Sequence, residues 1–172
     1  MDFEIKTAEE LVDPELEARW TRRRESRQGD VLRSILPAFA DRGGPILVAE
    51  VQHAFADWPP EGIREELRAL DQEDLILLHE EEIRLAYPFS ALPTAFLVRL
   101  EDGRERYACC AIDALGMAPM IGQRIEIRTR CHHCGAPLAL SATPEGPGPE
   151  AAGVMVWVGE RTAACGKVAD SL

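Results

Sequence analysis

The stretch Arg104-Glu105-Arg106-Tyr107-Ala108-Cys109-Cys110-Ala111-Ile112-Asp113-Ala114-Leu115 runs from a strand-like segment into an apolar run that holds two thiols and a carboxylate. Cysteine rarely decorates a surface and aspartate rarely sits within apolar sequence, so the segment calls for a chemical reason. If the chain turns from strand into a short helix near Cys110, then Cys110 and Asp113 stand at i, i+3. At that spacing they share a helix face, with Cβ atoms roughly 5–6 Å apart, and Cys109 points away. A thiol in the first turn feels the positive end of the helix dipole, which favours thiolate. The carboxylate opposes this, so the pair is expected to share a proton. Such a pair can bind a soft electrophile and deliver a proton beside it. The same spacing also suits a cysteine packed as a small hydrophobe and an aspartate that caps the helix. The residues alone leave both readings open.

On either side the texture is that of strands. Thr94–Leu100 and Arg104–Ala108 flank Asp102-Gly103, a hairpin turn pair. Gln123–Thr129 alternates apolar and polar residues like a half-buried strand, and Leu138–Thr143 and Val154–Val158 are further strand candidates. Nearer the N-terminus, helices are expected over Pro14–Arg27, Val31–Ala40 with Asp30 as N-cap, Ile46–Phe55 and Pro60–Leu70. Leu75–His79 and Ile83–Tyr87 read as strands joined by Glu80-Glu81-Glu82. Three short helices followed by a hairpin is the order of a winged helix. The expected fold class is therefore α+β, with a winged-helix-like helical subdomain over residues 1–88 and a sheet-rich core over residues 89–172.

Composition narrows the function. A chain of 172 residues with 46% hydrophobic and 28% charged residues reads as a globular protein with a real core. No apolar run reaches the ~18–20 residues that span a bilayer, and the acidic, periodic N-terminus resembles no targeting peptide, so a cytoplasmic location is expected. A net charge of −11 repels phosphate backbones, and the hairpin tip of three glutamates would do so locally, which argues against nucleic acid as a partner. Five cysteines without a secretion signal suggest reduced thiols used for chemistry or metal binding.

The segment Tyr107-Ala108-Cys109-Cys110-Ala111-Ile112-Asp113-Ala114-Leu115 resembles the active-site motif of the organomercurial (alkylmercury) lyases, in which a cysteine, two apolar residues and an aspartate follow a tyrosine-containing strand. The resemblance extends through Pro119-Met120-Ile121-Gly122, the strand to Thr129, and Cys131 to Pro137. Upstream it takes in Tyr87-Pro88-Phe89-Ser90 and Pro93-Thr94. It implies an organomercurial-lyase-like core and an enzyme that cleaves carbon–mercury bonds by protonolysis, giving a hydrocarbon and Hg(II). Cys110 would be the first mercury ligand and Asp113 the general acid. No cofactor is implied beyond mercury as substrate and product ion. The implied partners are a small organomercurial, or another soft electrophile, and cellular thiols.

The family uses a second thiol from later in the chain, and Cys165 is the candidate, as a catalytic residue and second mercury ligand. The tail Ala169-Asp170-Ser171-Leu172 resembles what precedes that cysteine in the family. Either Cys165 serves in a shortened homologue, or the frame stops early at a codon recoded as selenocysteine. A missing terminal strand would expose a sheet edge and invite a homodimer. The rival reading is a non-enzymatic soft-metal binder, or a winged-helix regulator with sensor thiols. Cys131-His132-His133-Cys134 supplies half of a zinc site, so a structural role is the leading expectation there. Metal binding through Cys131 and Cys134 is second, and redox use third. Met117 and Met120 are expected in the core, and His53 and His79 as ordinary, partly exposed histidines.

Overall fold

The computed structural model describes residues 4–7, 9–12 and 14–158. Helices α1 (Pro14–Arg24) and α2 (Arg27–Arg42) lead into β1 (Ile46–Leu47), α3 (Val48–Ala54) and α4 (Pro60–Gln72). Then follow β2 (Ile76–His79), β3 (Glu82–Ala86), β4 (Phe89–Ser90), β5 (Phe96–Arg99) and β6 (Glu105–Ala108). Helix α5 (Ala111–Ile121) precedes β7 (Ile125–Arg130), β8 (Pro137–Thr143) and β9 (Gly146–Pro147). The fold is mixed α and β around a large antiparallel sheet, ordered β1-β3-β4-β6-β5-β7-β8-β9 with β2 on the other side of β3.

Local chemistry explains most boundaries. Helix α2 begins four residues earlier than expected, because Ser26 rather than Asp30 is its N-cap and accepts the Gly29 N–H at 3.4 Å. Asp30 lies in the first turn and pairs with Arg33. Gly29 is required there, since a Cβ would sit 2.4 Å from the Arg23 carbonyl oxygen where the two helices cross. Gly43, at φ 88°, ends α2 in the left-handed conformation with its N–H on the Phe39 carbonyl. Ile46 and Leu47, expected as helix, form a short strand against Ile83 and Glu82 before α3 starts.

A single core cluster joins the helices to the sheet. Val31, Ile35 and Phe39 of α2 recur at helical spacing and meet Ile63, Leu67 and Leu70 of α4, all fully buried. Phe39 also stacks on Phe89 of β4, with ring centroids 6.2 Å apart. Helix α5 lies across β5, β6, β7 and β8 and presents the buried residues Ala114, Met117 and Ala118. Two alanines in that face let the helix lie close to the sheet. Met120, expected in the core, is 43% exposed, since the buried stripe of α5 is centred on Ala114, Met117 and Ala118 and Met120 falls at its flank.

The segment Val154–Val158, expected as a strand, is irregular and largely exposed. A run of β-branched and aromatic residues needs a neighbouring edge to become a strand, and this one makes no ladder with any described strand.

Candidate active site

Strand β6 carries the chain to Ala108, and α5 starts at Ala111, so the two cysteines occupy the corner between them. Cys110 is the N-cap of α5, with extended backbone at φ −148° and ψ −177°. Its Sγ accepts the Asp113 backbone N–H at 3.5 Å, the place a serine or aspartate oxygen usually takes. The Asp113 carboxylate lies close enough to the Cys110 thiol for the two groups to influence one another's ionisation. Cys110 and Asp113 therefore stand together on the first turn, as their spacing predicts, and both are half-buried. Cys109 points away, at 2% exposure, and packs with Leu85, Leu77 and Tyr87 in a small cluster of its own.

That cluster exists because β3 bulges. Leu77 pairs with Leu85 and Leu78 with Ile83, which leaves Arg84 as the extra residue. Ile83 stays in the main core while Leu85 turns to the Cys109 side. A surface depression lined by Leu77, Arg84, Leu85, Ser90, Leu92, Pro93 and Thr94 adjoins this cluster. Cys110 and Asp113 are not among its walls.

Burial dominates the electrostatics. Burial first, and then the Asp113 carboxylate, push the Cys110 thiol up to about 11. The backbone N–H groups of the helix start work the other way and lose, so the thiolate that the dipole alone would favour does not form. Cys109 is raised still more by its deeper burial. Asp113 is itself raised by burial, against the opposing hydrogen bonds from Cys110. The corner thus holds a protonated thiol beside a carboxyl group that keeps its proton more readily than usual. An incoming soft cation that displaces the thiol proton finds an acceptor within reach.

Two positioning contacts fix the corner. The Thr94 hydroxyl donates to the Ala108 carbonyl at 2.6 Å and accepts the Phe96 N–H at 3.2 Å, clamping the end of β6 to the start of β5. The Cys109 N–H donates to the Pro88 carbonyl at 3.0 Å. Thr94, expected as the first residue of a strand and as part of the resemblance, instead lies just ahead of β5 and acts through its hydroxyl. Its readable mark is a hydroxyl residue two positions before a strand.

Of the other expected site residues, Cys131 and Cys134 lie together in the turn between β7 and β8, away from the corner in sequence and on different elements. Cys165 lies outside the described residues. Among the described residues no group of three His, Cys, Asp or Glu side chains could hold a metal ion.

Residues 89–172 match the family model described as alkylmercury lyase (MerB). The likeness is to the alkylmercury lyases. An alkylmercury lyase of Staphylococcus epidermidis is 28% identical over 115 residues, which are 67% of this chain and 50% of that one. One from Bacillus cereus is 26% identical over 103 residues, 60% of this chain and 45% of the relative. The chain thus spans about half the length of the curated alkylmercury lyases it matches. A solved structure of the mercury-bound form of MerB2 has the same fold over 72% of this chain and 59% of that chain, with a TM-score of 0.64 and 21% identity. The matched region begins at β4 and contains the whole corner.

Proposed function

We propose that this chain performs alkylmercury lyase chemistry, the protonolysis of a carbon–mercury bond, with Cys110 as first mercury ligand and Asp113 as proton carrier. The observation that carries the reading is the Cys110 thiol and the Asp113 carboxyl group set together on the first turn of α5, inside the region that matches the family. In the proposed reaction the Cys110 sulfur displaces a small thiolate from R–Hg–SR′ and the Cys110 proton passes to Asp113. A second protein thiolate, assigned to Cys165, joins the mercury and raises electron density on its carbon. The carbon–mercury bonding pair then takes the Asp113 proton, releasing R–H and leaving Hg(II) on sulfur. Mercury prefers soft thiolate ligands, so formation of the first mercury–sulfur bond drives a proton transfer that the raised thiol pKa otherwise disfavours. Cellular thiols would bring the substrate in and carry the product ion out. The reaction draws on no further cofactor.

The N-terminal part, residues 1–88, is read as a winged-helix-like subdomain beside a catalytic-type core over residues 89–172. The order α2, β1, α3, α4, β2, β3, with β1 and β2 both paired to β3, supports it. Its role is structural rather than DNA-binding. Arg64 on α4 is held by Glu81 at the hairpin tip through two bonds of 2.7 and 2.8 Å, so a cation that would otherwise meet phosphate is already neutralised. No helix among the described residues is long and apolar enough to cross a membrane. A cytoplasmic location and a homodimer belong to the same proposal.

Incubation with phenylmercury and excess small thiol tests the function, with benzene measured by headspace gas chromatography. Turnover is expected from the full chain and not from Cys110→Ser. Stoichiometric mercury binding with no benzene would replace the lyase by a soft-metal binder.

A further inference from the structure

Between β7 and β8 the chain turns through Cys131-His132-His133-Cys134-Gly135-Ala136. The turn is closed at its base. The Cys131 N–H donates to the Ala136 carbonyl and the Gly135 N–H to the Cys131 carbonyl, both at 2.8 Å. Gly135 adopts φ 70°, which lets the backbone fold back over the first thiol. Arg130 braces the same loop by donating from Nη1 to the Gly135 carbonyl at 3.2 Å. Within this closed turn the backbone N–H groups of Cys134 and His133, and then the Cys134 side chain, hold the Cys131 thiol below its ordinary pKa. Both cysteines are free, Cys131 half-buried and Cys134 exposed. Neither belongs to the corner at α5.

We propose that Cys131 and Cys134 form a second soft-metal site, a two-thiolate chelate for a thiophilic cation of low coordination number, for which Hg(II) is the probe. The backbone donors offset the negative charge that sulfur acquires on binding, and the short turn holds the two thiols within one chelate. The ligand count selects the class of ion. Zinc takes four ligands in a structural site, and the described residues offer two thiols there with no third His, Cys, Asp or Glu in reach. Hg(II) is satisfied by two sulfurs. Binding is ligand exchange without redox change: both protein thiols give up their protons to the two departing small thiolates as two sulfur–mercury bonds form and two break. The site stands independently of the lyase reading, although the ion that such a reaction releases has the chemistry it would take.

The test uses the full chain under anaerobic conditions, dialysed against Hg(II) buffered by a monothiol, with bound mercury per chain measured by mass spectrometry. Cys110→Ser is expected to retain one tightly held equivalent that Cys131→Ser and Cys134→Ser lose, with affinity falling about a hundred-fold when the chelate is broken. Cys134 is exposed, so Cys134→Ser reports on the site even if Cys131→Ser disturbs the turn, and circular dichroism verifies that each variant is folded. Mercury retention identical in the native chain and in Cys134→Ser would overturn the proposal. So would stoichiometric zinc uptake at this turn in preference to Hg(II).

Discussion

Cys110 is held as a thiol by its surroundings, and this has a measurable consequence. With the group pushed up to about 11, chiefly by burial and then by Asp113, alkylation by iodoacetamide should be slow at neutral pH and rise with pH towards that value. Asp113→Asn removes the carboxylate but not the burial, so its profile should move to lower pH without reaching that of an exposed cysteine. Site-resolved mass spectrometry follows the rate, and identical profiles would show that the two groups do not interact. Stability should respond as well. A thiol whose folded pKa lies above its ordinary value of 9.0 favours the folded state only while protonated. Ionisation in the unfolded chain sets in first, so stability holds below pH about 9 and declines as pH rises through about 11. Cys109, raised in the same direction, adds to the decline. Thermal unfolding across this range checks it. The pairing of Cys110 with Asp113 was legible from their spacing alone. The balance between burial and dipole was not, because burial is set by α5 lying on the sheet, which no local pattern encodes.

The corner between β6 and α5 is positioned by contacts that come from elsewhere in the chain. Thr94→Val removes the hydroxyl bond to the Ala108 carbonyl, and should lower stability by about 1 kcal/mol in denaturant unfolding. The same substitution should slow turnover more than it weakens mercury binding, since it loosens the strand end that aims Cys110. Arg106 is a second such case. It is 7% exposed, and its guanidinium donates to the carbonyls of Phe39, Ala40, Asp41 and Glu105, which ties the last turn of α2 to β6. Arg106→Leu removes this shared donor, although the Phe39 carbonyl keeps the Gly43 N–H and the Asp41 carbonyl keeps Arg104, and should cost about 1–3 kcal/mol, read as a lower midpoint in urea. An arginine in Arg104-Glu105-Arg106 reads as a solvated charge, and nothing in the sequence says that its partners lie some 65 residues earlier. The hairpins were legible for the opposite reason: Asp102-Gly103 and the alternation in Ile125–Arg130 are local instructions. Val154–Val158 has the same alternation-friendly residues, yet stays irregular for want of a paired edge.

Across the molecule, one core and one sheet run from the helical part into the lyase-like part, with Phe39 against Phe89 at the join. The net charge of −11 and the Arg64–Glu81 pair together predict no DNA binding. Fluorescence anisotropy with a labelled duplex at physiological salt should stay flat, and saturable binding there would favour a regulator. The central claim is that Cys110 and Asp113 deliver a solvent-derived proton to a mercury-bound carbon. It is tested most directly by turning over phenylmercury in D2O with excess thiol and weighing the benzene released. The account predicts singly deuterated benzene, formed about 10²–10⁴-fold more slowly by Asp113→Asn than by the native chain. Benzene formed at the same rate by both would contradict it.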